Sequence, residues 1–253
     1  MRRRAAAVVV AGLLAVGALA GCGSGAGSSG DATITVFAAS SLQEAFTTLG
    51  HRFERRHPGT KVVFSFGPSS GLAQQIQAGA PADVFASASP VDMRQVVTSG
   101  DVGRPATFTS NRMEVAVPPA NPGHVQRLSD LARPGVKVAV CQAKVPCGEV
   151  AAKVFHNAGL TVHPATQEVD VKSVLSKVSL DEVDAGVVYV TDVEAARGKV
   201  KGVGIPAGVN ATTAYPIATV KDSQHARLAR QFRDLVLSPT GRTVLSSRGF
   251  GKP

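Results

Sequence analysis

Four short segments each carry the chain from an apolar run into an amphipathic one, and they constrain the fold more than any other feature. They are Ala38-Ala39-Ser40-Ser41, Gly67-Pro68-Ser69-Ser70-Gly71, Lys144-Val145-Pro146-Cys147-Gly148 and Glu168-Val169-Asp170-Val171. The first follows a strand-like run, Thr33 to Phe37, and precedes Leu42, Ala45, Phe46, Leu49 and Phe53 at helical spacing. Ser41 reads as the N-cap of that helix, with Glu44 three residues on completing a capping box. The second segment repeats the plan between a strand over Val62 to Phe66 and a helix opened by Leu72, Ala73 and Ile76. A helix start leaves N–H groups unpaired at the positive end of its dipole. Several starts converging on one point make an anion site without any lysine or arginine. Capped helices occur in every α/β protein, so the caps alone do not establish such a site.

The remaining chain keeps the alternation. Strands are expected over Asp83 to Ser87, Met113 to Val117, Val136 to Cys141, Gly186 to Val190 and Tyr215 to Val220. Helices are expected over Pro90 to Val97, through Val150 and Phe155, from Val171, and at the C-terminus through Leu228, Phe232 and Leu235. Gly202-Val203-Gly204 reads as a turn. The pattern predicts an α/β chain with parallel sheets covered on both faces. The strands are many for one sheet, and no Gly/Pro/Ser linker divides the chain after residue 30. Two sheets with two crossings, near Thr109-Ser110-Asn111 and Ala211 to Ala214, fit this pattern.

The N-terminus reads as an export signal. Arg2-Arg3-Arg4 precedes an apolar stretch, Ala5 to Ala20, that is short for a membrane span. It ends Leu19-Ala20-Gly21-Cys22, which resembles the lipobox of bacterial lipoproteins. That resemblance implies removal of the residues before Cys22, lipidation of Cys22 and anchoring to the outer face of the cell membrane, with 1–22 taken as the signal region. Residues 23–30 read as a flexible tether. Cys141 and Cys147 then remain as an even pair in a compartment that permits a disulfide. Loss of the three arginines takes the formal charge from +9 to +6. No dense basic run with interleaved aromatics appears, so nucleic acid is not an expected partner.

Gly67-Pro68-Ser69-Ser70-Gly71 also matches G-x-S-x-G, the nucleophile elbow of serine hydrolases. Asp170, Asp181, Asp184 and Asp192 could serve as the acid, but His225, the best-placed histidine, falls in the first turn of a helix. No His-Gly-Gly-like oxyanion stretch precedes Ser69. A secreted hydrolase using Ser69 is therefore the weaker reading. The six histidines show no metal-ligand spacing, and no nucleotide-binding glycine motif appears.

Ile34 to Leu42, ITVFAASSL, resembles the opening signature of the molybdate-binding proteins of bacterial ABC importers. Phe66 to Phe85, FGPSSGLAQQIQAGAPADVF, resembles it too, and Val145-Pro146-Cys147-Gly148 and Gly186-Val187-Val188-Tyr189 follow in the family's order. The likeness runs from Asp31 almost to the C-terminus. It implies a type II periplasmic-binding-protein fold, two α/β lobes with a ligand cleft between them. Lobe 1 is expected over 31–108 and 213–253, and lobe 2 over 109–212. It implies a monomeric receptor, not an enzyme, that holds molybdate or tungstate without a cofactor and delivers it to a membrane permease and its ATPase. Molybdenum enters only as the oxyanion. The implied ligand residues are Ser41, Ser69, Cys147, Val171 and Tyr189, with Ser40 or Ser70 possible in place of, or beside, the neighbouring serine. Cys147 stands where the family often has alanine, so only its backbone N–H carries over. A receptor for another oxyanion or for ferric ion is the near alternative on the same fold. The chemistry agrees: molybdate at neutral pH is an unprotonated dianion, matched by hydroxyls and N–H groups, and none of the five positions is acidic.

Overall fold

The computed structural model describes residues 32–253, and the expected signal region, Cys22 and tether lie outside them. In chain order the elements are β1 (Ala32–Ala39), a 3-10 turn (Ser40–Leu42), α1 (Gln43–Arg56), β2 (Thr60–Gly67), α2 (Ser69–Gln77), β3 (Val84–Ala86), α3 (Pro90–Thr98) and β4 (Ala106–Val117). After a second 3-10 turn (Leu128–Ala132) come β5 (Val138–Cys141), α4 (Pro146–Asn157), β6 (Thr166–Glu168), α5 (Val171–Ser179), β7 (Ala185–Tyr189) and α6 (Val190–Ala195). The chain ends with β8 (Lys201–Gly204), β9 (Thr212–Thr219), α7 (Ala226–Leu237) and α8 (Pro239–Ser246).

The strands form two α/β halves joined through β4. In the first half the order is β2-β1-β3-β9-β4, and in the second β4 continues beside β7, β5 and β6 with β8 on its other side. Residues 106–112 of β4 pair with β9, and Met113–Val117 pair with β7 and β8. The period of two along β1 explains how one strand serves two layers. Ile34, Val36 and Ala38 pack toward α1, α7 and α8, whereas Phe37, with Phe85 and Ala218, packs toward α2 and α3. The second half has its own core, built on Val115, Val138, Val187 and Val174.

Several expectations need correction. The sheets are mixed, not parallel: β3–β9, β4–β9, β4–β7 and β4–β8 are antiparallel, because the strands that connect the halves run against their neighbours. The strand expected over Met113 to Val117 begins at Ala106, its polar first half being legible only through its pairing with β9. Gly202 to Gly204 is not a turn but lies in β8. The single C-terminal helix is two, with Ser238 capping α8 through its side chain and His225 standing just before α7. Ser41 is not an N-cap: it lies within the 3-10 turn that follows Ala39, and its hydroxyl has a tertiary partner instead.

Candidate functional site

The C-terminal ends of β1, β2, β5, β6 and β7 converge, and the segments leaving them enclose a small cavity. This is the place where open α/β sheets bind ligands. Its walls are Ala39, Ser40 and Ser41 from the first loop, Gly67, Pro68 and Ser69 from the second, Ala88, then Val145, Pro146 and Cys147, Asp170 and Val171, and Tyr189. The centre of a water-sized sphere can occupy about 20 Å³ of it, which suits a small ion and not a sugar or peptide. Ser41, Ser69, Cys147, Val171 and Tyr189 thus stand around one space, each buried. Neither Ser70 nor any histidine, lysine or arginine is in the wall.

Local structure explains what each wall offers. Ser69, Pro146 and Val171 open α2, α4 and α5, so the first N–H groups of three helices have no partner within their own helix. Pro146 in the first turn lacks an N–H, which leaves that of Cys147. Gly148 lets α4 begin so close to the preceding loop, since a Cβ there would lie 1.9 Å from the Gln142 carbonyl oxygen. A disulfide between Cys141, ending β5, and Cys147 ties the same turn. The positive ends of three helix dipoles border the cavity, and no cation stands in its wall.

The hydroxyls are oriented by what lies behind them. The N–H of Ala88 donates to Ser69 Oγ at 2.9 Å, so the serine proton is left to point into the cavity. Ser41 Oγ lies 2.8 Å from the Tyr215 hydroxyl, which Asn111 Nδ2 approaches at 3.4 Å while it also donates to Thr191 Oγ1 at 2.8 Å. With Asn111 donating to Tyr215, the phenol can donate its proton to Ser41, an arrangement that leaves the Ser41 proton for a ligand. The Tyr189 hydroxyl is buried near that of Tyr215 and, among the described residues, makes no well-aligned hydrogen bond. Burial above all, with Tyr215 and Asp192 nearby, holds its pKa well above the ordinary phenol value, so it remains a donor. A buried donor without a partner is costly to keep, and the cavity beside it is where one would sit.

Two wall residues change the sequence reading. Ser40 donates its hydroxyl proton to Asp170 Oδ2 at 2.9 Å, which takes that proton away from the cavity. Asp170 is a carboxylate in the wall that the five-residue set lacked. Both of its oxygens are engaged, Oδ2 by Ser40 and Oδ1 by the N–H of Ser173 at 2.8 Å as the cap of α5. Its role as a cap was visible in the Asp-x-x-Ser spacing; its place in the wall was not. Tyr215 and Asn111 were missed because only β4–β9 pairing brings them behind Ser41.

Residues 34–251 match the family model described as bacterial extracellular solute-binding protein. The molybdate-binding protein ModA of Mycobacterium tuberculosis is 41% identical over 98% of this chain and 95% of its own. The chain belongs to the ModA family of extracellular solute-binding proteins. Family membership sets the fold as that of a periplasmic binding protein, and the matched proteins are named for binding a solute, not for a reaction. The periplasmic molybdate-binding protein of Azotobacter vinelandii superposes with a TM-score of 0.77 at 22% identity, covering 87% of this chain and 99% of that one. The sulfate-binding protein SubI of M. tuberculosis superposes almost as well, TM-score 0.76 at 18% identity over 87% of this chain and 86% of that one. Fold alone therefore does not choose the anion; the cavity must.

Proposed function

We propose that this ModA-family protein is the molybdate receptor of an ABC importer, taking tungstate also, and that Ser41, Ser69, Cys147, Val171 and Tyr189 hold the anion. The observation that carries the reading is the gathering of free hydrogen-bond donors at the cavity. The Ser41 and Ser69 protons, the helix-start N–H groups of α2, α4 and α5 and the unpartnered Tyr189 hydroxyl can all donate. An unprotonated tetrahedral dianion accepts from all of them, each charge-assisted bond being worth roughly 1.5–3 kcal/mol. A hydrogen phosphate would need an acceptor, and the one carboxylate in the wall, Asp170, already accepts from the Ser40 hydroxyl and the Ser173 N–H. The 41% identity to a molybdate-binding protein points the same way.

On this reading the two lobes, 31–108 with 213–253 and 109–212, close over the anion, and the closed form meets the permease. The exchange of β4 partners between Arg112 and Met113 supports a hinge near that boundary. The lipid on Cys22 would keep the monomer at the outer face of the membrane, held by residues 23–30. Among the described residues no helix is long and apolar enough to cross a membrane, and none gather as three or more His, Cys, Asp or Glu able to hold a metal ion. A hydrolase would need a base at Ser69, whose one hydrogen-bond contact is the Ala88 N–H. A thermal-shift screen across oxyanions tests the proposal. Molybdate at about 100 times its dissociation constant should stabilise the protein by roughly 2.7 kcal/mol, and no shift with any oxyanion would contradict it.

A further inference from the structure

Two contacts cross from the first α/β half to the start of α5, and they straddle Val171. Ser40 donates to Asp170. Glu44 stands four residues after Ser40 and Lys172 two after Asp170, and Lys172 Nζ donates to Glu44 Oε1 at 2.9 Å and Oε2 at 3.1 Å. Glu44 belongs to α1 and Lys172 to α5. The same ammonium lies 3.3 Å from Asp192 Oδ1, an ion-pair contact without hydrogen-bond alignment. Asp192 is fully buried, and its other oxygen accepts the N–H of Tyr189 at 3.1 Å. One lysine thus touches the opposite half of the molecule and the carboxylate that seats the cavity tyrosine.

We propose that Lys172 is a positioning residue that couples closure of the cleft to retention of the anion. With the cleft shut, Lys172 is shared between Glu44 and Asp192, and the first turn of α5 is pressed against the Ser40–Ser41 loop. With the cleft open, Glu44 withdraws and only the Asp192 contact remains. The proposal rests on the reading of the protein as a closing receptor. Burial opposes the charge on Lys172, but Asp192 and Glu44 outweigh it and hold the ammonium above its usual range. The Glu44 and Lys172 side chains are only 33% and 21% exposed, so water and salt screen the pair less than an ordinary surface bridge. Neither side chain is in the cavity wall, so neither touches the anion directly. A contact made only in the shut form acts on release and not on encounter.

The test measures release of labelled molybdate, chased with excess unlabelled molybdate, from the full chain and from Glu44→Gln, Lys172→Met and the double variant. Glu44→Gln should speed release about threefold to tenfold and leave the association rate within about twofold. The double variant should release no faster than Lys172→Met alone, because both substitutions break one contact. Glu44→Gln is the decisive variant, since Lys172→Met also strips the buried Asp192 of its counter-charge and can weaken folding. The melting temperature of ligand-free Glu44→Gln should match wild type, which a purely structural ion pair would not allow. Wild-type release from Glu44→Gln, or effects that add in full in the double variant, would overturn the proposal. Wild-type protein that retains neither molybdate nor sulfate contradicts the receptor reading itself. The clamp rests on that reading and falls with it.

Discussion

Ser41 Oγ and the Tyr215 hydroxyl meet at 2.8 Å although 174 residues separate them, so the last long strand of the chain aims a side chain of its first loop. Tyr215 is fully buried, and burial holds its pKa far above the ordinary phenol value, against the pull of Ser41 and Asn111. It therefore stays protonated and has a proton to donate to Ser41. Removing the hydroxyl in Tyr215→Phe keeps the ring packed against Phe108 and Phe250 but frees Ser41 to rotate. Molybdate affinity should fall about tenfold, near 1.4 kcal/mol, with little loss of stability. Calorimetry showing unchanged affinity would remove Tyr215 from the account.

Ser69 should behave as a donor and not a nucleophile. Ser69→Ala removes one bond to the anion and leaves the buried Ala88 N–H without an acceptor, a loss of about 1–3 kcal/mol. The variant should bind molybdate roughly ten- to a hundredfold more weakly. A fluorophosphonate probe should leave the wild-type protein unlabelled; stoichiometric labelling at Ser69 would restore the hydrolase reading.

The Cys141–Cys147 disulfide closes a short loop around the turn that presents the Cys147 N–H. Replacing both cysteines by serine should lower unfolding stability by less than the roughly 3 kcal/mol expected for a 15-residue loop. The same change should weaken molybdate binding. Two alkylatable thiols in protein purified without reductant would count against the bridge.

Asp92 gives a pH prediction. Burial first, then the Glu149 carboxylate, push it up to about 6. A carboxyl raised in the fold favours the native state when protonated. Its stabilising contribution is complete below the ordinary range near 3.8 and is lost as pH rises through about 6. Asp92→Asn should therefore gain about 1–3 kcal/mol over wild type at pH 8 and gain nothing at pH 3. Denaturant melts at the two pH values decide it; an equal gain at both would locate the effect elsewhere. Asp192, also pushed to about 6 chiefly by burial, titrates in the same direction, with Lys172 opposing.

The contrast between Ser41 and Tyr215 shows where local reading stops. The turns at Ser41, Ser69, Cys147 and Val171 announce themselves because strand, small polar residue and helix follow within a few positions. The choice between Ser40 and Ser41 does not, since it depends on Asp170, 130 residues away. The apparent capping box fails for the same reason. Ser41 and Glu44 have the right spacing, yet Tyr215 takes the hydroxyl and Lys172 takes the carboxylate. β6 and β8 escaped notice because they are three and four residues long and at most half-buried, without an apolar run to mark them. The antiparallel strands escaped because alternation of strand and helix says nothing about direction once β4 and β9 link two halves.

Selectivity between molybdate and sulfate tests the central claim most directly. The two anions share charge and shape, so donors alone cannot separate them, and size must. Donors fixed by three helix starts, Ala88, Tyr215 and a buried phenol cannot follow a smaller anion inward. Two N–H groups or hydroxyls left unpaired would cost about 1–3 kcal/mol each, which at the middle of that range weakens sulfate by more than about a hundredfold. Isothermal calorimetry on the protein should give tight molybdate and tungstate binding, sulfate at least about a hundredfold weaker and phosphate weaker again. Sulfate within tenfold of molybdate would contradict the account.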